Sequence, residues 1–279
     1  MEIKITDGLG NQLFQYATAR SLCIKKNIPH LLLNADSFKH NNLGRELGLK
    51  NFNIGAKVIK SRFIEKVFRD GTKYNKILSV FPFYKVIIES GLKPQEIQTK
   101  TGMLTSVSGY WQSEYYFKNI RSLLLKEITP KDLPTFPNWI NNKNTVAVHV
   151  RRTDYLTEKQ IGALGVKYYQ NAINTIRNML NDPLFIFFSD DIEWCRKNFN
   201  NDNGVIFCEE NEWSKDYLQL FLMSKCSHQI IANSSFSWWG AWLNQNPDKI
   251  VIRSEDPFAN TELMYESRYP KEWMSVSNL

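Results

Sequence analysis

The 279-residue sequence lacks the features that mark metal-binding, secreted and membrane-spanning proteins. It has only four cysteines, which lie far apart and form no CxxC pair: Cys23, Cys195, Cys208 and Cys226. This spacing offers no zinc-ligand pattern and, in a chain of this size, no disulfide framework. The longest apolar runs, such as Leu184–Phe188, are strand-sized and too short to span a bilayer. Because no apolar signal-peptide segment lies near its start, we expect a protein of a reducing compartment, in the cytoplasm.

The composition also excludes disorder as the overall state. Hydrophobic residues make up 43% and aromatic residues 13% of the chain, which is ample for a buried core. The net charge is +7, but no long block of Lys and Arg carries it. A moderately basic protein suits nucleic acid, an anionic membrane surface or a phosphorylated small molecule as a partner. A merely solvated basic surface is the alternative.

Strand and helix patterns alternate along most of the chain, which is typical of an α/β fold with parallel sheets. The proline-containing stretch 129–144 has the composition of a linker, so we predict two domains, residues 1–135 and 136–279. The second half has the regular strand, loop and helix order of a Rossmann-like domain, which binds ligands beyond the carboxyl ends of its strands. Residues 40–100 are less regular and favour helices and loops.

Two local predictions concern the ends of these domains. Ser113 is placed to cap a helix that continues through Leu124. The strand pattern Lys249–Ile252 is predicted to close the second sheet.

The segment His149–Asp154 (His-Val-Arg-Arg-Thr-Asp) is the strongest candidate for a functional site. Side chains alternate between the two faces of a strand, so His149 and Arg151 share a face. Arginines at the carboxyl edge of a parallel sheet can bind phosphate oxygens bidentately. Alternatively, Asp154 pairs with an arginine to close the loop and His149 is a core residue.

Ser189, Asp190 and Asp191 follow the next strand. Their carboxylates suit either an acidic metal site or hydrogen bonds from guanine N–H groups and ribose hydroxyls. A serine or aspartate before Ile192 is also a favoured helix N-cap. Capping and ligand contact are compatible at a helix N-terminus, so both interpretations stand.

The segment Asn233–Trp242 (Asn-Ser-Ser-Phe-Ser-Trp-Trp-Gly-Ala-Trp) joins a strand to an aromatic helix. Hydroxyl and amide groups at such a junction can hold phosphate without carrying charge. We predict ligand contact for the serines and core packing for the tryptophans, because buried indoles pack in cores more often than they stack on ligands.

The opening loop Asp7–Gln12 (Asp-Gly-Leu-Gly-Asn-Gln) joins the first strand to the first helix. It has neither the GxGxxG pattern nor a Walker lysine, so it does not specifically indicate a phosphate loop. An ordinary tight turn is the alternative. Asn11 and Gln12 at the helix N-terminus suit sugar hydroxyls equally well.

Together, five segments resemble the bacterial α-1,2-fucosyltransferase family, also called glycosyltransferase family 11. They run in the family's order: Gly8–Ala17, Gly109–Glu114, the His-x-Arg-Arg-x-Asp group at 149–154, Phe188–Asp191 and Ile231–Leu243. The resemblance implies a GT-B fold of two facing Rossmann-like domains, with the donor bound mainly by the second. It also implies an inverting transfer of L-fucose from GDP-β-L-fucose to a galactoside 2-hydroxyl, without a metal or another cofactor, in surface polysaccharide or oligosaccharide synthesis.

The same resemblance implies roles for individual residues. Arg151 is expected to meet the donor diphosphate, and Arg152 to support that loop or the phosphate. The donor contacts implied for other residues are those of His149, Ser189, Asp190, Asp191, Asn233, Ser234, Ser235 and Phe236. The acceptor contacts are those of Asn11, Gln12 and Trp111, with Asn11 at the cleft between the domains. A peripheral contact with the cytoplasmic face of the membrane is a further expectation.

The chemistry of such a transfer shows what the site must supply. A departing nucleoside diphosphate gains negative charge, which fixed cations stabilise best where water is excluded. Arg151 and Arg152 can therefore replace a divalent metal. The sugar becomes oxocarbenium-like, so the incoming hydroxyl needs only modest deprotonation. Asp154 is the first candidate for that base and Glu158 the second, and the alternative role of Asp154 is to orient an arginine.

Two segments depart from the family pattern. Asp7 stands where family members usually have the first glycine of Gly-Gly-Leu-Gly, and because aspartate tolerates unusual backbone angles we predict that the turn is kept. Arg253–Phe258 differs from the expected Ala-Pro-x-x-Trp type. Three other functions remain open: a GDP-sugar transferase with another donor or linkage, a non-catalytic carbohydrate-binding module, and a nucleic-acid-binding protein. The last is disfavoured because basic residues are not concentrated on one element with interleaved aromatics.

Overall fold

The computed structural model describes residues 1–40, 44–59, 84–91, 93–97, 104–200, 203–209 and 211–279. These residues form two compact units, Met1–Lys131 and Asp132–Leu279, and each has its own parallel sheet. The predicted α/β class is therefore confirmed. The predicted boundary between residues 135 and 136, and the division of acceptor and donor between the domains, stay predictions.

The first unit is built on a five-stranded sheet. Its strands are β1 (Glu2–Lys4), β2 (Leu32–Asn34), β3 (Lys57–Ile59), β4 (Tyr84–Ile88) and β5 (Leu104–Ser108). They lie in the order β3-β2-β1-β5-β4, and every neighbouring pair is parallel. The described helices are α1 (Leu9–Lys25) and α2 (Arg121–Glu127), with 3₁₀ turns at Asp36–His40, Gly48–Asn51, Glu114–Tyr116 and Lys118–Ile120.

Helix α1 is buried along most of its length because small and apolar side chains cover more than one of its faces. Leu13, Tyr16 and Ala17 have no exposed surface. The turn before the helix contains Asp7 at a φ of +66°, in the left-handed region that few residues other than glycine adopt. The prediction that Asp7 keeps this turn is confirmed.

The second unit is built on a six-stranded sheet. Its strands are β6 (Thr145–Val150), β7 (Leu184–Ser189), β8 (Val205–Phe207), β9 (His228–Ile230), β10 (Val251–Ser254) and β11 (Met274–Val276). The described helices are α3 (Val166–Met179), α4 (Ile192–Phe199), α5 (Asp216–Lys225) and α6 (Ser235–Leu243). The 3₁₀ turns are at Asn138–Asn141, Asp154–Leu156, Asn211–Trp213, Thr261–Leu263 and Glu266–Arg268.

The strand order of this sheet, β11-β10-β9-β6-β7-β8, makes it doubly wound. The chain runs outward from β6 through β7 to β8, and then crosses to the other side of β6 for β9, β10 and β11. Loops leave β6 and β9 in opposite directions, which opens a crevice at the carboxyl edge of these two strands. The predicted donor residues lie on β6 and β7, in the loops that follow β6, β7 and β9, and in the first turn of α6.

Two apolar clusters cover the two faces of the second sheet. Val146, Val148 and Val150 of β6 pack with α3 and α4, whereas Ala147 packs with α5. Because side chains alternate along a strand, His149 points to the same side as Ala147. This side also carries α6.

Helix α6 is a core helix that packs closely on α5. Trp238, Trp239 and Trp242 are at most 3% exposed, so the prediction of core packing for these tryptophans is confirmed. A Cβ built on Gly240 would lie only 3.1 Å from Cε of Met223 in α5. The glycine therefore permits the close approach of the two helices.

The predicted helix from Ser113 through Leu124 is wrong. Ser113 Oγ accepts a hydrogen bond from the Tyr115 N–H at 3.2 Å, but it caps only a 3₁₀ turn. Phe117, at a φ of −145°, interrupts the helical backbone, and α2 begins at Arg121. The buried side chain of Phe117 packs against Phe14 of α1 at 5.9 Å between ring centroids, so packing overrides the local helix signal.

The prediction that Lys249–Ile252 closes the second sheet is also wrong, because β11 pairs with β10 beyond it. A strand of three residues is too short for its alternation to be recognised. Within residues 40–100, β3 and β4 were not predicted, and 41–43, 60–83, 92 and 98–100 lie outside the described residues. None of the helices in the described part of the chain has the length and hydrophobicity needed to cross a membrane.

Candidate active site

His149 lies near the end of β6 and is only 5% exposed. Its ring centroid is 5.3 Å from that of Phe236, in the first turn of α6. Burial, and then the positive charge of Arg151, lowers the pKa of His149 to about 3, so the imidazole is neutral near pH 7. Its Nδ1 is buried and has no hydrogen-bond partner among the described residues, which makes it a candidate ligand contact.

Arg151, the next residue on this face of the strand, is held by two carboxylates. Its Nε and Nη2 each donate to one oxygen of Asp154 at 2.9 Å, and its Nη1 lies 3.3 Å from Oδ2 of Asp190. A guanidinium has five N–H groups, so these contacts use at most three of them. With its side chain 32% exposed, Arg151 can direct the other N–H groups at an anion.

Asp190 shapes the loop that carries Arg151. Its carboxylate accepts hydrogen bonds from the backbone N–H groups of Arg152 and Thr153, at 2.9 and 3.2 Å, and from the Thr153 hydroxyl. These contacts bind the Asp190 carboxylate to the loop. Its guanosine and metal roles stay predictions. Among the described residues, no group of three or more His, Cys, Asp or Glu side chains is arranged to hold a metal ion.

Asp191 and Ser189 form the N-terminal cap of α4. An oxygen of Asp191 accepts from the Trp194 N–H at 3.1 Å, and Ser189 Oγ accepts from the Asp191 N–H at 2.9 Å. The capping interpretation is therefore confirmed for Asp191. Donor contact by Asp191 and Ser189 stays a prediction.

Arg152 supports the loop from the other side of the sheet. Its guanidinium carbon lies 4.1 Å from the ring centroid of Trp194, and its Nε donates to Asp191 at 3.2 Å. The side chain is only 15% exposed. Of the two predicted roles of Arg152, this geometry favours support of the loop, because stacking and pairing hold the guanidinium against α4.

Asn233, after β9, has one amide atom bound and one buried without a partner. Its Nδ2 donates to the backbone oxygens of Gly162 and Pro257, at 2.8 and 2.6 Å. Rotation of the amide would bring its oxygen against these two carbonyls, so the orientation is determined. Oδ1 is buried and has no partner among the described residues. It is therefore an acceptor that an O–H or N–H group of a ligand can satisfy.

The next residues begin helix α6. Ser234 Oγ accepts a hydrogen bond from the Phe236 N–H at 3.3 Å, and Ser235 is the first helical residue and half-buried. A hydrogen bond also joins the side chains of Ser234 and Tyr155, and burial raises the pKa of Tyr155, which keeps its hydroxyl protonated. The N-terminal N–H groups and the dipole of α6 favour an anion at this point. Sequence reasoning missed Tyr155, because a tyrosine in a loop carries no periodic signal.

Glu158, the second candidate base, lies in the loop after Asp154, and its backbone N–H donates to the Asp154 carbonyl at 3.1 Å. Its side chain is exposed, and its carboxylate accepts from the Gln160 N–H at 3.5 Å. The loop is attached to the segment 257–260 through the backbone of Gln160 and Ile161. The structure thus brings Asp154 to Arg151, and it leaves Glu158 in solvent.

In the first unit, two of the three predicted acceptor residues are buried. Gln12 is 1% exposed: its Nε2 donates to the backbone oxygens of Asp7 and Glu46, and its Oε1 accepts from the Gly48 N–H. Trp111 is 3% exposed. The acceptor contacts of Gln12 and Trp111 stay predictions, and the burial of both side chains disfavours them. Asn11 is half-buried, and its Oδ1 accepts from Gln112 Nε2 at 2.7 Å.

Beside Asn11, the structure exposes a group that sequence reasoning missed. Tyr110 is 48% exposed and donates its hydroxyl to Oδ2 of Asp7 at 2.9 Å. Arg45 Nη1 lies 3.3 Å from Oδ1 of the same carboxylate. Tyr110 belongs to a segment that the sequence analysis singled out, but Arg45 carries no sequence signal.

The lowered pKa of His149 predicts a pH-dependent stability. Between about pH 3 and pH 6.5 the unfolded imidazole binds a proton and the folded one does not, so stability falls as the pH decreases through this window. We expect a loss of at most about 1.4 kcal/mol per pH unit from this residue. Urea unfolding at about pH 7 and about pH 5 should show a smaller loss for His149→Phe than for the wild type. His228, whose pKa burial also lowers, contributes equally in both proteins. An identical pH dependence of the two proteins would contradict this prediction.

The second sheet is doubly wound, and polar loops lie at its switch point, where the strand order reverses between β6 and β9. This unit therefore belongs to the Rossmann-like class of α/β domains. A model of Glycosyl transferase family 11 matches residues 1–277. The chain therefore belongs to glycosyl transferase family 11, and it is a glycosyltransferase.

Curated relatives in this family have named activities. An alpha-1,2-colitosyltransferase of Escherichia coli is 31% identical over 98% of this chain and 97% of its own length. Galactoside 2-alpha-L-fucosyltransferase SEC1 of Bos taurus is 25% identical over 63% of this chain and 52% of its own length.

A solved structure agrees in fold. The fucosyltransferase NodZ from Bradyrhizobium, at 13% sequence identity, superposes with a TM-score of 0.53 over 86% of this chain and 92% of its own. A second crystal structure, of NodZ alpha-1,6-fucosyltransferase co-crystallized with GDP, gives a TM-score of 0.50 over 92% and 95% of the two chains. This likeness shows the fold alone, and the predicted GT-B type is confirmed.

Proposed function

We propose that this chain transfers L-fucose from GDP-β-L-fucose to the 2-hydroxyl of a galactoside, with inversion, in surface polysaccharide or oligosaccharide synthesis. One observation carries the proposal. At the carboxyl edge of β6 and β9, His149 Nδ1 and Asn233 Oδ1 are buried and have no hydrogen-bond partner among the described residues, and Arg151 and the N-terminus of α6 follow the same two strands. This edge therefore carries cationic, helix-dipole and neutral hydrogen-bonding groups, the combination that a nucleoside diphosphate requires.

The relatives support the donor class. The relatives are named as an alpha-1,2-colitosyltransferase and a galactoside 2-alpha-L-fucosyltransferase. The NodZ enzyme was co-crystallised with GDP. Colitose is fucose that lacks the 3-hydroxyl, so the two sugars share the L-configuration and the 6-methyl group. The donor screen below distinguishes the two sugars.

Arg151 is the residue that we assign to the leaving group. When the bond between fucose and phosphate breaks, negative charge develops on the diphosphate, and the guanidinium together with the dipole of α6 stabilises it. Arg152 holds the loop against Trp194 and Asp191. We propose that this arrangement needs no metal ion.

Asp154 is assigned a positioning role rather than that of the base. Its two oxygens receive Nε and Nη2 of Arg151, which determines the plane of the guanidinium. Because the transition state is oxocarbenium-like, the acceptor hydroxyl needs little deprotonation, and Glu158 is the base that we propose for it. Asn11 is the acceptor contact that we retain in the first unit, since Gln12 and Trp111 are buried.

A second candidate is the same transfer with GDP-colitose as donor. The relative with 31% identity over 98% of this chain is a colitosyltransferase, and this observation favours it specifically. The nucleotide site is the same in both candidates, so they differ only in the groups around carbon 3 of the sugar.

Two measurements test the proposal. In a thermal-shift comparison of GDP, UDP and ADP, we expect appreciable stabilisation by GDP alone, because ligand that binds only the native state raises its stability. In a donor screen with GDP-fucose, GDP-colitose and GDP-mannose, with and without EDTA, we expect fucosylated product at an undiminished rate in EDTA. Faster use of GDP-colitose selects the second candidate. Stabilisation by UDP or ADP instead of GDP contradicts the proposed nucleotide. Strict dependence on a metal contradicts the proposed metal-independent transfer.

A further inference from the structure

The carboxyl edge of the first sheet carries a second group of polar and aromatic side chains. In the order β3-β2-β1-β5-β4, the chain runs outward from β1 to β2 and β3, and β5 flanks β1 on the other side. The loops after β1 and β5 are therefore at the switch point of this sheet, where doubly wound sheets bind ligands. Asp7 lies in the first of these loops and Tyr110 in the second.

Both loops hold residues with a positive φ. Trp111 has a φ of +57°, a strained value that bulky side chains rarely adopt, and Asp7 has a φ of +66°, which aspartate tolerates better than most residues. The second loop is kept in place by Glu89, whose carboxylate accepts from the N–H groups of Tyr110 and Trp111 at 2.6 and 3.0 Å. Strain of this kind persists where the surroundings impose it, and it is concentrated at ligand sites.

The loops are joined to each other by side chains. Tyr110 donates to Asp7 Oδ2 at 2.9 Å, and Gln112 Nε2 donates to Asn11 Oδ1 at 2.7 Å. Burial, followed by the charge of Asp7 and its hydrogen bond, raises the pKa of Tyr110 to about 12, so the phenol remains a donor. The orientation of the Asp7 carboxylate is thus established before any ligand binds, which reduces the entropic cost of binding.

The exposed atoms of this group have the chemistry that recognises a neutral sugar. A carboxylate offers about four acceptor positions, and the contacts with Tyr110 and Arg45 use two of them. The side chains of Asp7 and Arg45 are each 32% exposed, and the ring of Tyr110 is exposed beside them. Sugar hydroxyls can therefore donate to Asp7 while an apolar face of the sugar ring lies on Tyr110.

We infer that Asp7, Arg45 and Tyr110 form an acceptor subsite that binds a neutral hexopyranoside unit through its hydroxyls and determines acceptor specificity. The inference rests on the proposed function, since it assigns the second substrate of the same transfer. Asp7 is a specificity residue and not the base, because its carboxylate is already held by a guanidinium and a phenol.

The test compares acceptor kinetics of the full chain with Asp7→Gly, Asp7→Asn and Tyr110→Phe. Glycine adopts the backbone angles of residue 7 without strain, and the other two changes are nearly isosteric, so folding is preserved. The acceptor is whichever of methyl β-D-galactoside, lactose and β-galactosyl-N-acetylgalactosamine gives the highest kcat/KM. GDP-fucose or GDP-colitose serves as donor, and its hydrolysis without acceptor is measured in parallel.

We expect both Asp7 variants to raise the acceptor KM by about tenfold or more. Tyr110→Phe should raise it by about three- to fivefold, because phenylalanine keeps the ring but loses the hydrogen bond to Asp7. The donor KM and the hydrolysis rate should stay within about twofold of the wild type. The matched control is Tyr115→Ala, which removes an equally exposed tyrosine of the same segment that packs on Tyr116. Its acceptor KM should not change.

The outcomes separate the two proposals. An acceptor KM within about twofold of the wild type in all three variants, with donor hydrolysis intact, overturns the subsite and leaves the proposed function standing. An equal rise of acceptor KM in Tyr115→Ala overturns it as well, because the effect is then not specific to the Asp7 group. A wild-type protein that neither hydrolyses the GDP-sugars nor transfers from them overturns the proposed function itself, and the subsite with it.

Discussion

Replacement of Arg151 by alanine should lower kcat for transfer by about 10²–10³-fold, with the fold intact. The guanidinium is a partly exposed cation at the carboxyl edge of β6, and in the proposed reaction its charge stabilises the departing diphosphate. Removing one preorganised group that stabilises transition-state charge has an effect of this size in other enzymes. Steady-state kinetics with the donor identified by the screen, and circular dichroism of the variant, are the measurements.

Two further variants make this result interpretable. Asp154→Asn keeps Arg151 but weakens its charged partner, and we expect a smaller loss of about tenfold in kcat. Arg177→Ala is the matched control, since Arg177 lies in the last turn of α3, stacks on Phe185 and donates to Asn203 rather than to the loop after β6. Its kcat should be that of the wild type. Near-normal turnover of Arg151→Ala would remove this residue from the chemistry.

Replacement of Glu127 by alanine should destabilise the first unit by about 3–5 kcal/mol, the largest stability effect that we expect. Glu127 is 7% exposed, and Arg20 donates to it through Nε and Nη2, at 3.0 and 2.8 Å. Tyr16 donates its hydroxyl to the same carboxylate, and the Gly55 N–H donates to Tyr16 Oη at 2.9 Å. Burial and the charge of Glu127 raise the pKa of Tyr16, so it stays a donor. Without Glu127, a guanidinium and a phenol of this network lose their acceptor.

Urea unfolding of Glu127→Ala measures this loss. Glu127→Gln keeps the volume and one acceptor oxygen, so it should retain part of the stability. The matched control is Glu46→Ala, because Glu46 is an exposed partner of Lys50 at i and i+4, and exposed pairs of this kind contribute little. A Glu127→Ala variant as stable as Glu46→Ala would contradict the structural role of the network.

Local patterns predicted much of the second unit. The alternation of apolar strands and amphipathic helices predicted a Rossmann-like sheet, because period-2 and period-3.6 patterns depend only on neighbouring residues. The cap of α4 by Asp191 and the burial of the tryptophans in α6 follow from the same local rules. The interrupted helix after Ser113 shows where such rules fail, since Phe117 is drawn into contact with Phe14 of α1.

The tertiary structure decided which of the candidate side chains are available to a ligand. Arg151 and Arg152 are adjacent in sequence, yet one lies at the open edge and the other stacks on Trp194, 42 positions away. Gln12 and Trp111 have the residue types of a sugar site but are buried, while Tyr110 and Arg45 meet at Asp7.

By itself, the sequence determined the α/β class and the placement of polar segments at the carboxyl ends of strands, because these depend on residues that are close in the chain. The strand orders, and with them the contacts among side chains that lie about a hundred positions apart, were decided only in the folded molecule. The physical reason is that pairing between distant strands is selected by the burial of whole sheet faces, which no local segment encodes.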